Sequence, residues 1–530
     1  MSFELLGREM GATILEMKHR DHCSGVTRDW NEKLQKRLTM DAERVKSLQS
    51  RIKRTVPSNT EDVSNAQIPV TSGIELETLN YIVTVELGAR KMTVIVDTGS
   101  DLTWVQCQPC DSCYNQHDPV FKPSTSPSYQ PILCNASACQ SLQFATGNSG
   151  VCGSAAPICN YAINYGDGSF TRGELGHEKL KFGTILVKDF IFGCGRNNKG
   201  LFGGVSGLMG LGRSDLSLIS QTSGIFGGVF SYCLPSTERK GSGSLILGGN
   251  SSVYRNSSPI SYAKMIENPQ LYNFYFINLT GISIGGVALQ APSVGPSRIL
   301  VDSGTVITRL PPTIYKALKA EFLKQFTGFP PAPAFSILDT CFNLSAYQEV
   351  DIPTIKLHFE GNAELTVDVT GVFYFVKSDA SQVCLALASL EYQDEVAILG
   401  NYQQKNLRVI YDTKETKVGF ALETCSFEWK EGMCVVVNIL LSTKQAKWLV
   451  GYITSSRQMS PSHMHLRPST IHWGRYMIFK CNLWFSVLWS VIILHLLCWR
   501  KKGMNCIFIT VKYISEYEST RKYANKSQCD

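Results

Sequence analysis

Two short segments of this 530-residue chain repeat one another 205 positions apart. The first is Val94-Ile95-Val96-Asp97-Thr98-Gly99-Ser100 and the second is Ile299-Leu300-Val301-Asp302-Ser303-Gly304-Thr305. In each, three aliphatic residues run into an Asp, followed by a hydroxyl residue, a Gly and a second hydroxyl residue. The aliphatic run reads as a buried strand. A lone carboxylate at its end is costly to bury. Two such ends therefore point to two carboxylates held together, a recurrent device for acid–base chemistry. Each segment also has a later apolar partner: Gly207-Leu208-Met209-Gly210, and Ala397-Ile398-Leu399-Gly400. Glycines there let two backbones approach closely.

A repeat at so long a period indicates two related lobes rather than a solenoid, and the length is too great for one ordinary core. Only 18% of residues are charged and 43 are Gly, which favours a β-rich globular chain. Short β-like runs at 81–87, 92–96, 184–192, 275–279 and 408–412 are broken by Gly, Pro and Ser, as expected of an all-β architecture. One helix is expected in the body, over 312–326, opened by Pro312. The net charge of +7 resides in the tail. Residues 428–530 carry 14 basic and 5 acidic side chains, leaving 37 basic and 39 acidic on residues 1–427. The body therefore has no electrostatic case for binding nucleic acid.

Twelve of the 18 cysteines lie between Cys107 and Cys425, a density that suggests disulfides and an oxidising compartment. Cys107, Cys110 and Cys113 are also spaced as a zinc knuckle would be. Sequons at Asn135, Asn250, Asn256, Asn278 and Asn343 fit a glycoprotein of the secretory route. The amino terminus lacks a basic region followed by an apolar one, so the expectation is a true start upstream. Residues 1–78 balance 12 basic and 12 acidic side chains. Within them Leu34, Leu38, Ala42, Val45, Leu48 and Ile52 recur at helical spacing. Two readings stay open: a helical flank packed on the body, or a removable pro-segment.

The paired Asp-hydroxyl-Gly motifs and the matched Gly strands resemble those of pepsin-like aspartic endopeptidases, and within them the plant nepenthesin-like group. The resemblance runs from residue 79 to residue 427. It implies an all-β, bilobal pepsin-like fold with the active-site cleft between two related lobes. It also implies that Asp97 and Asp302 form the catalytic dyad, that Ser100 and Thr305 hydrogen-bond the carboxylates, and that Gly99 and Gly304 complete the motifs. Tyr165, followed by Gly166, is similar to the flap tyrosine, with Trp104 as its hydrogen-bond partner. Cys107, Cys110, Cys113, Cys134, Cys139, Cys152 and Cys159 resemble the group's cysteine-rich insertion. Cys194, Cys233, Cys341, Cys384 and Cys425 resemble its remaining cysteines, with Cys341–Cys384 as a pair. The body histidines His117, His177 and His358 are read as structural or surface residues.

The implied chemistry is peptide-bond hydrolysis at acidic pH by a water activated between two carboxylates that share a proton. It calls for no metal and no cofactor, and the implied partner is a polypeptide substrate met by a monomer. The alternative is a protease-like binding protein, such as an inhibitor of cell-wall glycanases. The expected organisation is a pro-segment-like leader at 1–78, an N-terminal lobe at 79–262, a C-terminal lobe at 272–427 and a tail at 428–530. In the tail, residues 481–499 are apolar enough for a membrane span and are followed by Arg500-Lys501-Lys502, a cytoplasmic flank. That reading gives a lumenal enzyme, in wall or vacuole, with a carboxy-terminal anchor. The competing reading is that the tail is translated non-coding sequence.

Overall fold

The structure is a computed structural model. It describes residues 14–18, 30–52, 66–72, 80–425 (short loops at 155, 166–168, 201, 237–241, 250–253, 255–256, 267–272 and 290–296 excepted), 435–441, 452–453 and 507–513. Gly166, Asn250, Asn256 and the apolar stretch 481–499 lie outside the described residues. No helix among the described residues is long and apolar enough to cross a membrane. Residues Met1–Phe427 form one compact unit and Glu428–Asp530 another. In the second, Val435–Leu441 pairs antiparallel with Tyr452–Ile453 and parallel with Ile507–Tyr513.

The first unit is β-rich, and alternating burial shows why. Cys159–Asn164 buries every second side chain, as the period of a strand dictates, and Tyr81–Leu87 does so at Tyr81, Val83, Val85 and Leu87 while its opposite face also buries Ile82. The strands that carry Asp97 and Asp302 differ. Val94, Ile95, Val96, Ile299, Leu300 and Val301 are all buried, because these strands are covered on both faces. Arg90–Asp97 pairs with Tyr81–Leu87 on one side and parallel with Gly207–Gly210 on the other. Ser297–Val301 pairs with Phe276–Ile284 and parallel with Ala397–Leu399. The two halves thus repeat one arrangement, in which a Gly-bearing strand lies parallel to a strand ending on Asp. The glycines are sterically required: a Cβ on Gly210 would lie 2.1 Å from the Asp101 carbonyl oxygen, and one on Gly400 2.5 Å from that of Val306.

Both lobes contribute to the sheet that joins them. Val229–Cys233 pairs with Leu407–Asp412, and Ser261–Lys264 with Lys417–Leu422. Phe230 stacks on Tyr411, and Tyr275 meets Tyr411 edge-on. This aromatic layer lies beneath the Asp strands: the Tyr275 carbonyl accepts from Val301 N–H (3.0 Å), and the Tyr275 hydroxyl donates to the Leu211 carbonyl (2.7 Å).

The body carries more helix than expected. The expected one forms as Pro312–Gln325, burying Ile314, Tyr315, Leu318 and Phe322. A second, Ser137–Thr146, buries Ala138, Cys139, Leu142 and Ala145 and ends on Gly147 in the left-handed region. It was hidden because its cysteine drew the reading toward disulfides, although its buried residues recur at helical spacing.

The leader contributes a strand, a helix and a strand. Ile14–Lys18 pairs with Ser242–Leu247, and Ala66–Ser72 with Tyr81–Leu87. Between them lies helix α1, Trp30–Ile52. One part of its apolar stripe, Leu34 and Leu38, packs with Val306, Ile307, Phe335 and Leu338. The other part, Val45, Leu48 and Ile52, packs with Phe274, Phe276, Leu300 and Ile398.

Candidate active site

The two Asp strands end side by side, and hydroxyl groups lock them together. Thr98 N–H donates to Ser303 Oγ (3.1 Å) and Ser303 N–H to Thr98 Oγ1 (2.9 Å). Each hydroxyl then reaches across: Thr98 Oγ1 donates to the Val301 carbonyl and Ser303 Oγ to the Val96 carbonyl. This crossed set buries four polar groups with all partners supplied from within. Thr98 and Ser303 were not singled out in the sequence, although the hydroxyl residue repeated between Asp and Gly was the available signal.

Asp97 and Asp302 are fully buried, and their environments match pairwise. Gly99 N–H donates to Asp97 Oδ1 (2.9 Å) and Ser100 Oγ to Asp97 Oδ2 (2.6 Å). Gly304 N–H donates to Asp302 Oδ1 (2.9 Å) and Thr305 Oγ1 to Asp302 Oδ2 (2.6 Å). Close approach needs both glycines. A Cβ on Gly99 would lie 2.7 Å from Asp302 Oδ1, and one on Gly304 2.3 Å from Asp97 Oδ1.

A cation from α1 closes the site. Arg44 Nη2 lies 2.6 Å from Asp97 Oδ1 and 3.1 Å from Asp302 Oδ2. Nη1 also reaches Asp97 Oδ2 (3.3 Å) and Nε reaches Asp302 Oδ2 (3.4 Å). Burial pulls the guanidinium down, but Asp302 and Asp97 more than offset it and hold the group above the ordinary arginine value. Burial pushes Asp97 up, but Arg44, Ser100 and the Gly99 N–H outweigh it, so its carboxyl sits below the ordinary range. At Asp302, burial and then the Asp97 charge prevail over the opposing pull of Arg44, and its carboxyl sits above that range. With Arg44 docked, the two adjacent carboxyls are thus held on opposite sides of the ordinary range.

Neighbouring residues anchor α1. Gln49 exchanges two hydrogen bonds with the Val396 backbone (2.6 and 2.9 Å). Arg51 Nη1 donates to the Gly99 carbonyl (3.0 Å). Asp41 receives the backbone N–H groups of Val306 and Ile307 and pairs with Arg309.

Trp104 is buried, and its Nε1–H donates to the Tyr165 hydroxyl (2.8 Å). Phe202 packs edge-on against both rings. All twelve body cysteines are paired: Cys107–Cys194, Cys110–Cys113, Cys134–Cys152, Cys139–Cys159, Cys233–Cys425 and Cys341–Cys384. The three cysteines with knuckle spacing are thus spent in two disulfides.

Asp101 is a further buried carboxyl beside the dyad. Its Oδ1 accepts from Ser214 N–H (2.8 Å), whereas Oδ2 has no hydrogen-bond partner and lies 3.9 Å from Arg51 Nη2. Burial pushes it up to about 6. The folded state therefore binds this proton more tightly than the unfolded chain does. The stability linked to it is complete below the ordinary value of about 3.9 and is lost as pH rises through about 6. Asp101→Asn keeps an Oδ1 acceptor and never ionises. It should flatten the dependence of unfolding free energy on pH between 4 and 7 by about 2 kcal/mol, read by denaturant titration at both pH values. A slope equal to that of the unaltered chain would contradict this assignment.

Two family models, described as xylanase inhibitor N-terminal and xylanase inhibitor C-terminal, match residues 81–249 and 274–422. An aspartyl protease family protein of Arabidopsis thaliana is 43% identical over 396 residues, spanning 73% of this chain and 82% of its own. The aspartic proteinase nepenthesin-1 of Nepenthes gracilis is 35% identical over 357 residues, spanning 65% of this chain and 78% of its own. Among solved structures, basic 7S globulin from soybean superposes with a TM-score of 0.52 at 18% identity, covering 66% of this chain and 95% of the globulin. That likeness supports the bilobal β fold.

Proposed function

This chain belongs to the plant aspartyl protease family, in its nepenthesin-like group of pepsin-like fold, and we propose that it is an aspartic endopeptidase folded as a latent precursor. The observation that carries this reading is the pair of buried, mutually adjacent carboxylates with matched hydroxyl and amide donors, met by one guanidinium from the leader.

With Arg44 withdrawn, two carboxyls this close share one proton. A water between them loses a proton to the ionised carboxylate and attacks the scissile carbonyl carbon. The protonated partner donates to the developing oxyanion, and proton transfer to the amide nitrogen releases the amine. The Gly99 and Gly304 amides and the Ser100 and Thr305 hydroxyls already point at the carboxylates. The dyad is therefore oriented before substrate arrives, and little reorganisation is left for the reaction. Tyr165 covers the cleft as the tip of a flap, held by Trp104. Tyr165→Phe should lower kcat/KM on a peptide substrate about tenfold, the worth of one hydrogen bond, and lower the melting temperature modestly, because the buried Trp104 Nε1–H loses its acceptor. An unaltered kcat/KM would remove the hydroxyl from the account. The twelve paired cysteines suit passage through the secretory pathway.

Full-length chain purified at neutral pH and then acidified should shorten by loss of its leader and begin to cut an unstructured protein, with pepstatin blocking the cutting. A second reading, a protease-like binding protein that blocks a glycanase, draws on the descriptions of the two family models. Acidified chain that cuts nothing yet inhibits a xylanase would favour it.

A further inference from the structure

The contact between Asp41 and the body has the form of a ligand in a preformed anion pocket. Three donors converge on one carboxylate: Val306 N–H on Oδ1 (2.6 Å), and Ile307 N–H (3.2 Å) and Arg309 Nη2 (2.9 Å) on Oδ2. Arg309 is only 3% exposed, and Asp41 is its ion-pair partner among the described residues. Its one other hydrogen bond there runs from Nη1 to the Ile307 carbonyl (3.2 Å), which fixes the head of the side chain without neutralising it. All three donors belong to the body, whereas the carboxylate belongs to the leader. Removing α1 takes away the carboxylate that these donors share and opens them to solutes. A guanidinium and two amides that already converge on one point make strong, charge-assisted hydrogen bonds to a carboxylate. The opened pocket therefore suits another anion.

Its position says which one. Val306, Ile307 and Arg309 follow Asp302 in the same segment, four to seven residues on. On α1, Asp41 precedes Arg44 by three residues, about 4.5 Å along the helix axis. An extended peptide advances about 3.4 Å per residue. A side chain one or two residues from a bond held at the dyad thus falls at the distance of Asp41.

We propose that Val306, Ile307 and Arg309 form a substrate subsite for an acidic side chain, Asp or Glu, one or two residues from the scissile bond, and that Asp41 fills this subsite in the precursor. The proposal rests on the endopeptidase reading for its substrate. The carboxylate arrives ionised, takes Arg309 Nη2 and the Ile307 amide on one oxygen and the Val306 amide on the other, and replaces Asp41 group for group. A neutral amide side chain of the same shape offers one acceptor and turns an N–H toward the remaining donors, so the subsite discriminates against it.

The test uses peptide pairs differing only as Asp against Asn, or Glu against Gln, at each position within three residues of one scissile bond. They are assayed with acid-processed full-length chain at about pH 5, where an ordinary carboxylate is ionised. At one position the acidic peptide should show a kcat/KM about 10- to 100-fold higher, the worth of charge-assisted hydrogen bonds. In Arg309→Gln that ratio should fall to near one. Equal cleavage of every pair, or an undiminished ratio in Arg309→Gln, overturns the subsite while leaving the endopeptidase reading in place.

A second arm needs no catalysis and no altered body. Full-length chain nicked at a cleavage site inserted within residues 53–65 holds α1 without a covalent link. Labelled synthetic peptide of residues 30–52 then competes for its place. The Asp41→Asn peptide should bind about 10- to 100-fold more weakly than the unaltered one. Equal binding overturns the subsite even if no substrate is ever cut. A chain that discriminates between the two peptides yet never cuts keeps the anion pocket and removes the endopeptidase reading.

Discussion

Asn in place of Asp97 or Asp302 should lower peptide-bond cleavage on the order of 10³-fold or more. Each change should act alone, because the two carboxyls work as one unit. An amide at position 97 can still accept from Gly99 N–H, and one at 302 from Gly304 N–H, so the strands should keep their register. What is lost is the capacity to hold a shared proton. Neither amide accepts a proton from water, and with one carboxyl left, no partner is available to supply the complementary acid. The comparison must be made after the leader has gone. In the precursor each Asn also removes half of the charge that holds Arg44, which would mix loss of chemistry with early release of α1. Leader removal by an added protease, followed by single-turnover cleavage, separates the two. Retained, pepstatin-insensitive proteolysis in either variant would sink the dyad assignment.

The second large effect concerns Arg44. Its side chain, 15% exposed, is a part-buried cation facing two fully buried carboxyls, and stripping buried charges of their partner typically costs about 3–5 kcal/mol. Arg44→Gln should therefore loosen the docked leader by roughly 10²- to 10³-fold. It should also let the full-length chain cut substrate at a higher pH than the unaltered chain does. The sign comes from the carboxyls. Arg44 pulls down the proton affinity of both Asp97 and Asp302 when it is docked. Its docking is therefore strongest where both are ionised, and it weakens as acid protonates them. Asp302, held above the ordinary range, takes its proton first, and Asp97, held below it, follows. Without Arg44 this latch has no charge to lose, so the midpoint of activation should move toward neutrality. Cleavage of a quenched fluorescent peptide across pH, with intact-mass detection of the leader, reads the shift. A midpoint unchanged in Arg44→Gln would mean that the latch lies elsewhere in the leader.

The legibility of these features in the sequence followed how local each one is. Asp97 and Asp302 stood out because the amide and hydroxyl donors to each carboxyl lie within three positions of it, and the same grammar recurs 205 residues on. The Gly strands were legible for a similar reason. A glycine at the end of an apolar run predicts a close backbone approach, and Gly210 and Gly400 meet the carbonyls of Asp101 and Val306. Partners supplied from far along the chain were harder to see. Arg44 reaches Asp97 and Asp302 across 53 and 258 residues, and nothing in the spacing of α1 names its targets. One signal was present nonetheless. The buried stripe of α1 runs Leu34, Leu38, Asp41, Val45, Leu48, Ile52, with steps of four and three. A carboxylate sits where the period calls for an apolar residue. Ala42 fits the apolar period equally well from spacing alone, which hides the contact that Asp41 makes with Val306, Ile307 and Arg309. Helix Ser137–Thr146 was missed because its buried face includes small residues and a cysteine, which read equally well as loop. Apart from Cys341–Cys384, which the resemblance implied and which forms, the cysteine pairing depends on which strands adjoin, as in Cys233–Cys425 across 192 residues, and becomes readable with the sheet order.

The central claim is that two carboxyls sharing a proton cut peptide bonds once the Arg44 latch opens. Its most direct test is the pH profile of kcat/KM for the processed chain on one peptide, from pH 2 to pH 8, with pepstatin as the control. A dyad that shares one proton should give a profile confined to the acid side. It should fall as the second proton leaves the dyad, fall again where both carboxyls are protonated, and be abolished throughout by pepstatin. A rate that peaks at neutral pH, or that persists at full height with pepstatin bound, would contradict it.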